Sequence, residues 1–396
     1  MDWRVARLAL LYFCQGLPGG FLAVALPVIL LDQGVSLTQV GFVSALSLPW
    51  TLKILWAPIV DRYGSRRFGR RKSWMLPAMA GMLACTLAIG RFDPVDDLVI
   101  VLGLFFALNL AAATQDIAVD GFAVSTLRGR ELGLANSAQV GGFKLGNLCG
   151  GGVLLAMSAT LGWSGVFAIM AAVIALAMIA VYFASEPDDD GPVPAGTMEV
   201  VRQVLAALWA APVFAGFLFA AKFGETLGGS LLKASMHRHG FSRELIGTID
   251  GIFGSIATAL GALVGGLVAR RWGWSRALVT MSLLQGAALI VIAVYQSGAV
   301  DAVGYGVRLA CENFAGGGVG VAVFMLAMSK ARPEIGAAQF TASQVVYMLG
   351  AAVATPLALA VADATSIAPV MITGGCLAIC VGAFAWRWAA RIGSGT

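Results

Sequence analysis

The apolar residues of this chain fall into long blocks of about twenty, and short polar stretches separate the blocks. A helix of that length crosses the roughly 30 Å hydrocarbon core of a bilayer. The pattern therefore predicts an all-α membrane protein. Its twelve predicted transmembrane helices are 5–31, 37–60, 73–91, 97–124, 131–158, 164–184, 205–234, 243–268, 275–296, 301–329, 335–362 and 366–387.

The connections between the predicted helices alternate between basic and nearly uncharged. Residues 61–74, 128–130, 270–276 and 330–332 are rich in Arg and Lys, as are the stretches near both ends of the chain. The intervening loops are short and poor in cations, with a mildly basic exception at 235–243. Since Lys and Arg collect on the cytoplasmic side of membrane proteins, both termini are predicted to be cytoplasmic.

The longest polar stretch divides the chain into two halves that resemble each other. Residues 186–203, EPDDDGPVPAGTMEVVRQ, suit a cytoplasmic linker between six-helix bundles at 1–185 and 204–396. GVS at 34–36 recurs 206 residues later as GFS, and ELG at 131–133 recurs 203 residues later as EIG. Each match opens the same helix of its half, so the pattern predicts a duplicated bundle.

The composition supports a membrane protein and narrows its chemistry. Apolar residues make up 59% of the chain, charged residues 12%, and the mean hydropathy is +0.85. The basic run DRYGSRRFGRRKSW at 61–74 is therefore interpreted as a membrane-side loop with lipids nearby, and no nucleic-acid partner is expected. The six cysteines lie in predicted spans, which does not suit a disulfide scaffold.

Several motifs that would indicate a cofactor or a metal fail their tests. The glycine-rich stretches at 146–152 and 316–320 follow no predicted strand, so they are interpreted as close helix packing. No Walker motif is present, which gives no support to ATP-driven transport within this chain. His237 and His239 are the only histidines and have no further ligands beside them. We expect no metal and no cofactor.

Three stretches carry a resemblance to a known family. The loop DRYGSR at 61–66 resembles the signature of the major facilitator superfamily, Gly-x-x-x-Asp-Arg-x-Gly-Arg-Arg, although Ala57 replaces the first Gly and Ser65 one cation. LYFCQGLPGGF (11–21), the stretch at 48–74 and ATQDIAVDGFA (113–123) are similar to the AmpG/acetyl-CoA-transporter branch. Within that branch, the short length and the wording of 61–74 most resemble siderophore permeases of the RhtX/FptX type.

The resemblance implies a proton-coupled secondary transporter of the bacterial inner membrane that works by alternating access between two bundles. It implies import of a siderophore or similar small solute, by a protein that we expect to be a monomer. A muropeptide permease and a drug or metabolite exporter are the alternatives within transport. An enzyme is not expected. A membrane-embedded transferase, the remote alternative, would instead gather His or acids at one membrane face.

Ionisable groups inside membrane spans are rare and mark functional sites. Asp116 and Asp120 are four residues apart on one helix, so they share a face and disfavour each other's charge. We predict them, with Glu225, as proton-coupling candidates. Salt bridges are the alternative: Asp116 with Lys144, Asp120 with a cation at the cytoplasmic end, and Glu225 with its i−3 lysine.

Further polar groups in the spans are predicted to contact the solute, with helix–helix hydrogen bonds or internal ion pairs such as the one between positions 308 and 312 as the alternative. These candidates are Tyr12, Gln15, Gln115, Gln139, Lys144, Lys222, Arg308, Glu312, Asn313, Gln344 and Tyr347. Lys53 is interpreted as a residue that reaches the membrane surface along its helix.

The 61–74 loop is predicted to act as a gate. The resemblance implies that Asp61 and the arginines after it latch the cytoplasmic helix ends and release them as the halves move. The predicted gating residues are Asp61, Arg62, Arg66 and Arg130, with Asp61 holding Arg130 or the helix start at Glu131.

Overall fold

In a computed structural model, most helices follow the predicted blocks, but the described part of 37–60 and the predicted helix 205–234 are broken into shorter segments. The structure describes residues 3–35, 42–65, 67–127, 129–183, 186, 196–296, 298 and 300–392. Arg66 and half of the predicted linker, residues 187–195, therefore lie outside the described residues. Within the described ranges, nine helices are long and apolar enough to span a membrane, or ten if one bent pair counts as a span. The number twelve stays a prediction.

The first part of the chain contains seven helices. They are α1 Trp3–Asp32, α2 Ala45–Leu55, α3 Ala57–Arg62, α4 Lys72–Ile89, α5 Leu98–Thr126, α6 Glu131–Leu148 and α7 Leu154–Tyr182. A π-helical turn, Cys149–Val153, joins α6 to α7, and another lies within α1 at Phe21–Ala25. Gly162, with φ 66°, interrupts α7 at the place where the sequence predicted a loop.

The rest of the chain contains eight longer helices and one short one. They are α8 Thr197–Ala210, α9 Pro212–Gly229, α10 Leu232–Arg238, α11 Gly247–Trp272, α12 Trp274–Tyr295, α13 Ala302–Lys330, α14 Gly336–Ala364 and α15 Ile367–Ile392, with the short helix Arg243–Ile246 leading into α11.

The predicted helix at 205–234 is wrong in outline, because the chain bends there by 82° between α8 and the helices that follow. Pro212 is the first residue of α9 and lacks the N–H that a continuous helix needs, so a new helix begins at this point. The helix α8 begins at Thr197, inside the stretch that the sequence pattern left as a linker.

The chain divides into two compact units, and neither is an unbroken stretch of sequence. Unit 1 contains Met1–Leu127, Gly142–Val204 and Ala331–Thr341. Unit 2 contains Arg128–Gly141, Leu205–Lys330 and Ala342–Thr396. The first residues of α14 thus belong to unit 1, and the first residues of α6 belong to unit 2. Each unit has its own apolar core.

The core of unit 1 is built around stacked aromatic rings and close glycine contacts. Phe21 packs on Phe105 and Phe167, with ring centroids 6.2 Å and 5.1 Å away. A Cβ added at Gly16 would overlap the carbonyl oxygen of Phe143, and one at Gly150 would overlap that of Leu17. The glycines of 146–152 therefore let α1 approach α6 and the π turn after it, which confirms their interpretation as packing residues.

We expect Gly150→Ala to destabilise the protein, because the added methyl group meets the backbone of α1 and the packing cannot absorb it. Overpacking of this kind costs about 1–3 kcal/mol. The melting temperature in detergent should therefore fall by several degrees. Gly103→Ala is the matched control, since a Cβ there has nothing within 4 Å. Equal melting temperatures for the two variants would contradict the close approach.

Candidate functional site

A buried ion pair joins α2 to α5 in unit 1. The Lys53 ammonium donates to the Asp116 carboxylate, with Nζ 2.5 Å from Oδ2, and both side chains are almost fully buried. The same ammonium lies 5.6 Å from the ring centre of Trp50. Lys53 therefore does not reach the membrane surface, which corrects its interpretation, and the ion pair of Asp116 is with Lys53 where Lys144 was predicted.

The local geometry of α2 explains this pairing. Trp50 donates from Nε1 to Oδ1 of Asn109 at 2.9 Å, and Trp56 donates to Oγ1 of Thr114 at 3.2 Å. Residues three apart align in 3₁₀ geometry, and Lys53–Leu55 is a 3₁₀ turn. Lys53 lies midway between the two tryptophans and so faces α5 with them. The sequence pattern gave no sign of the 3₁₀ turn.

Two further buried hydrogen bonds join α1 to α5 close to Asp116. Tyr12 donates its hydroxyl to Oδ1 of Asp120 at 2.5 Å, and Gln15 donates to Oε1 of Gln115 at 2.7 Å. All four side chains are buried. Tyr12 is thus a partner of Asp120 that the sequence did not predict. Five predicted candidates, counting Asp116, are brought together in unit 1.

In unit 2, the predicted pair within α9 is confirmed. Lys222 Nζ lies 2.5 Å from Oε1 of Glu225, three residues on. Tyr347 of α14 completes the cluster, because its hydroxyl donates to Oε2 of Glu225 at 3.4 Å and its ring lies 5.4 Å from the ammonium. The three candidates therefore form one group across two helices.

Glu312 on α13 is buried without an ion pair among the described residues. It accepts a hydrogen bond from Nε2 of Gln285 at 3.1 Å. The ion pair considered between Arg308 and Glu312 is not formed. Arg308 instead stacks on Tyr295, 3.8 Å from the ring centre, and donates to the carbonyl oxygen of Gly304 at 2.6 Å.

The tyrosine under Arg308 also holds the loop before α13. Its hydroxyl donates to Oδ2 of Asp301 at 2.5 Å, and the N–H of Gly304 donates to Oδ1 at 2.7 Å. The hydrogen bond from Tyr295, followed by the one from Gly304, lowers the pKa of Asp301. Arg308 is therefore held at the first turns of α13.

The other solute candidates are distributed over several helices. Asn313 donates to the carbonyl oxygen of Leu309 at 3.2 Å and accepts from Thr258, also at 3.2 Å, so it links α13 to α11. Gln139 and Gln344 are buried in α6 and α14, and Lys144 is half-buried in α6.

Asp61 makes a fully buried cap in unit 1. The N–H groups of Ala337 and Ala338, at the start of α14, donate to its two carboxylate oxygens at 3.3 Å and 2.6 Å. Arg71 lies 2.7 Å from Oδ1, and Arg70 donates to the carbonyl oxygen of Glu334 at 2.7 Å. A carboxylate at a helix N-terminus satisfies donors that lack a partner within the helix.

Asp61 was predicted to contact the helix start at Glu131, and this prediction named the wrong helix. Glu131-Leu-Gly and Glu334-Ile-Gly were recognised as equivalent helix starts, and the structure joins Asp61 to the second. Arg130 is exposed, and Arg62 stacks on Tyr63 at 5.2 Å. The arginines beside Asp61 are Arg70 and Arg71, and the gating role of Arg62, Arg66 and Arg130 stays a prediction.

Glu186, the first residue of the predicted linker, binds the end of the same loop. The carboxylate of Glu186 accepts from the N–H of Arg71 at 2.8 Å and of Lys72 at 3.0 Å, which caps the start of α4. The Lys72 ammonium donates to the carbonyl oxygen of Tyr182 at 2.8 Å. Arg71 is therefore fixed at its backbone by Glu186 while its guanidinium neutralises Asp61.

No cluster of metal-ligating side chains occurs in the part of the chain that the structure describes. His239 lies within hydrogen-bond distance of the carbonyl oxygen of Ser235, at 2.8 Å, inside its own helical turn. Buried ion pairs, a capped helix start and long apolar helices are features of a multi-pass membrane transporter.

Comparison with known proteins places this chain in a family. The model of the Major Facilitator Superfamily matches residues 8–355, and the chain belongs to that superfamily. The anhydromuropeptide permease of Escherichia coli K12 is 29% identical over 361 residues, which cover 90% of this chain and 73% of the permease. A Haemophilus influenzae protein without an assigned function is 32% identical over 69% of this chain and 66% of its own length.

Solved structures share the fold at low sequence identity. FucP in an outward conformation has a TM-score of 0.73 at 14% identity, and the match covers 97% of this chain and 98% of FucP. A bacterial homologue of the iron transporter ferroportin has a TM-score of 0.69 at 14% identity, with coverage of 98% and 100%. The chain is thus a multi-pass transporter protein with a permease of the AmpG kind among its relatives. The siderophore-permease resemblance has no counterpart among these matches.

The buried pair in unit 1 predicts a characteristic pattern of stabilities. Lys53→Met or Asp116→Asn alone leaves a polar group buried without its partner, and breaking a buried pair costs about 3–5 kcal/mol. The double variant Lys53→Met/Asp116→Asn removes both charges and should recover most of that loss. Melting temperatures of the four proteins in detergent measure the coupling. Additive losses in the double variant would rule out a direct pair.

Proposed function

We propose that this protein is a proton-coupled secondary transporter that imports its solute by alternating access across a bacterial inner membrane, with both termini in the cytoplasm. The observation that carries the proposal is a pair of Lys–carboxylate contacts inside apolar helices, Lys53–Asp116 in unit 1 and Lys222–Glu225 in unit 2. Structural packing needs no charge at these depths, so charged groups retained there suit a path for ions or solute.

Each of the two pairs can bind a proton and an anionic group of the solute together. While its carboxylate is charged, each lysine is held by it. A proton that binds the carboxylate removes that attraction and releases the ammonium to bind an anionic group of the solute. Release of the solute and of the proton on the other side then restores the pair. Each pair is charge-balanced only when it is empty or when it holds both the proton and the anionic group, which couples the two movements.

Glu312 is the third acid in this proposal and is a second proton site of unit 2, beside Glu225. It was predicted to contact the solute. Gln285 supplies one neutral donor, and among the described residues no cation forms an ion pair with the Glu312 carboxylate. A proton neutralises that carboxylate directly. Asp116, Asp120 and Glu225 stay proton-coupling candidates, and in this scheme Asp116 and Glu225 bind the proton within their lysine pairs.

A muropeptide is the first solute candidate. The relative named anhydromuropeptide permease matches nine tenths of this chain, and a peptide with free carboxylates offers the anions that Lys53 and Lys222 can bind. A ferric siderophore is the second candidate. It is favoured by the wording of residues 61–74.

Uptake into proteoliposomes tests the function and separates the solutes. We expect an inward proton gradient to drive accumulation of labelled anhydromuropeptide, with ferric siderophore as the parallel arm, and collapse of the gradient to abolish it. Accumulation of the siderophore alone would select the second candidate. Neither solute moving in either direction, in vesicles with correctly inserted protein, would contradict import of both classes.

The carrier role of Glu312 predicts a separation of two activities. In Glu312→Gln, accumulation against a gradient should fall at least tenfold, because the group no longer binds and releases a proton, while exchange of labelled for unlabelled solute continues. Glu199→Gln on α8 is the matched control, since Glu199 pairs with the exposed Arg202 and accepts a hydrogen bond from Gln203, both on its own helix. Full accumulation by Glu312→Gln would remove this residue from the proton path.

The cap made by Asp61 predicts that its loss slows transport. Asp61→Asn keeps the shape of the side chain but loses the charge that Arg71 neutralises. The contact between Asp61 and the start of α14 is therefore weaker, which shifts the balance between the two states of the transporter. We expect normal amounts of protein in the membrane and a several-fold slower uptake rate. Asp96→Asn, in an exposed loop, is the control. Uptake at the normal rate would leave the loop with a role in topology alone.

A further inference from the structure

A cavity opens on the surface of unit 2 where α11, α12 and α15 meet. Its volume is about 500 Å³, and its walls are almost entirely apolar, with Val268, Val279, Met281 and the indoles of Trp272 and Trp386 among them. Arg276 is the single charged residue that lines it. None of these residues belongs to the polar clusters of the candidate functional site.

The helix ends around this cavity carry an unbalanced positive charge. Arg270 and Arg271 end α11, Arg276 lies in the first turn of α12, and Arg387 lies near the end of α15; all four are exposed. Within the described residues, none of them forms an ion pair. The sequence has no Asp or Glu from residue 251 to 300 or from 366 onward. The three helices around the cavity therefore place no acid of their own beside these arginines.

The tryptophans around the cavity indicate its depth in a bilayer. Trp272 and Trp386 are about half exposed, at 50% and 49%, and Arg271 stacks on Trp272 at 5.4 Å. Trp388 lies 6.3 Å from Trp274, ring centre to ring centre. Indoles concentrate at the boundary between head groups and hydrocarbon. An occupant would thus have its polar end at the arginines and its apolar part between the helices.

We infer that this cavity binds an anionic phospholipid, with an acyl chain between α11, α12 and α15 and the phosphate on the Arg276 guanidinium. A guanidinium presents paired N–H donors that match phosphate oxygens. Free phosphate does not fit the site, because the walls below Arg276 offer apolar side chains and no further cation. This end of the helices is the one that the distribution of cations predicts to be cytoplasmic, where anionic lipids are available.

Native mass spectrometry of the full-length protein, purified in detergent and supplied with equal phosphatidylglycerol and phosphatidylcholine, tests the site. We expect retention of phosphatidylglycerol over phosphatidylcholine. Arg276→Gln should weaken retention of phosphatidylglycerol about fivefold, the equivalent of about 1 kcal/mol for one cation. Val279→Trp fills the cavity and should displace the acyl chain of both lipids. Millimolar glycerol phosphate should displace neither lipid.

Arg91→Gln is the matched control, because Arg91 is an exposed arginine on a loop remote in sequence from the cavity and its loss changes the net charge equally. It should retain phosphatidylglycerol as the parent does. Melting temperatures without added lipid check that the variants are folded. Equal retention of the two lipids, or equal losses in Arg276→Gln and Arg91→Gln, would overturn the site and leave non-specific lipid contact. Displacement by glycerol phosphate would reassign it to a soluble anion.

Discussion

A charged side chain within a bilayer has no water to face, so the chain itself must supply a partner or the charge must be neutralised. This constraint organises the described interior of both units. Lys53 is buried against Asp116 and a tryptophan ring, and Lys222 contacts Glu225 and a tyrosine ring. Each pair is stable only while it is balanced. A proton or an anion that enters therefore changes which contacts are favourable.

The same constraint explains the cap that Asp61 makes at the start of α14. Asp61 is completely buried, and its charge is met by the Arg71 guanidinium and by two backbone N–H groups. Glu186 holds the backbone of Arg71. Arg71 thus contacts both the capping carboxylate of Asp61 and the first linker residue, Glu186. The alternating access that we propose needs an element with two arrangements, and a helix start held by one buried carboxylate suits that role.

Much of this could be predicted from the sequence, because rarity of charge in apolar blocks identifies candidate residues without any structure. The helix blocks, the break at Gly162, the Lys222–Glu225 pair and the glycine packing follow from local spacing. Partners across helices did not follow. Lys53 faces α5 through a 3₁₀ turn that leaves no mark in hydropathy, and the partner helix of Asp61 was misassigned because the two repeats have nearly identical helix starts.

The central claim is that solute movement and proton movement share the buried acids. The most direct test is the internal pH of proteoliposomes that carry a trapped indicator dye, followed when solute is added outside with no gradient imposed. The account predicts that the interior acidifies as solute enters, and that Glu312→Gln removes the acidification. Entry of solute with no change in internal pH would contradict proton coupling.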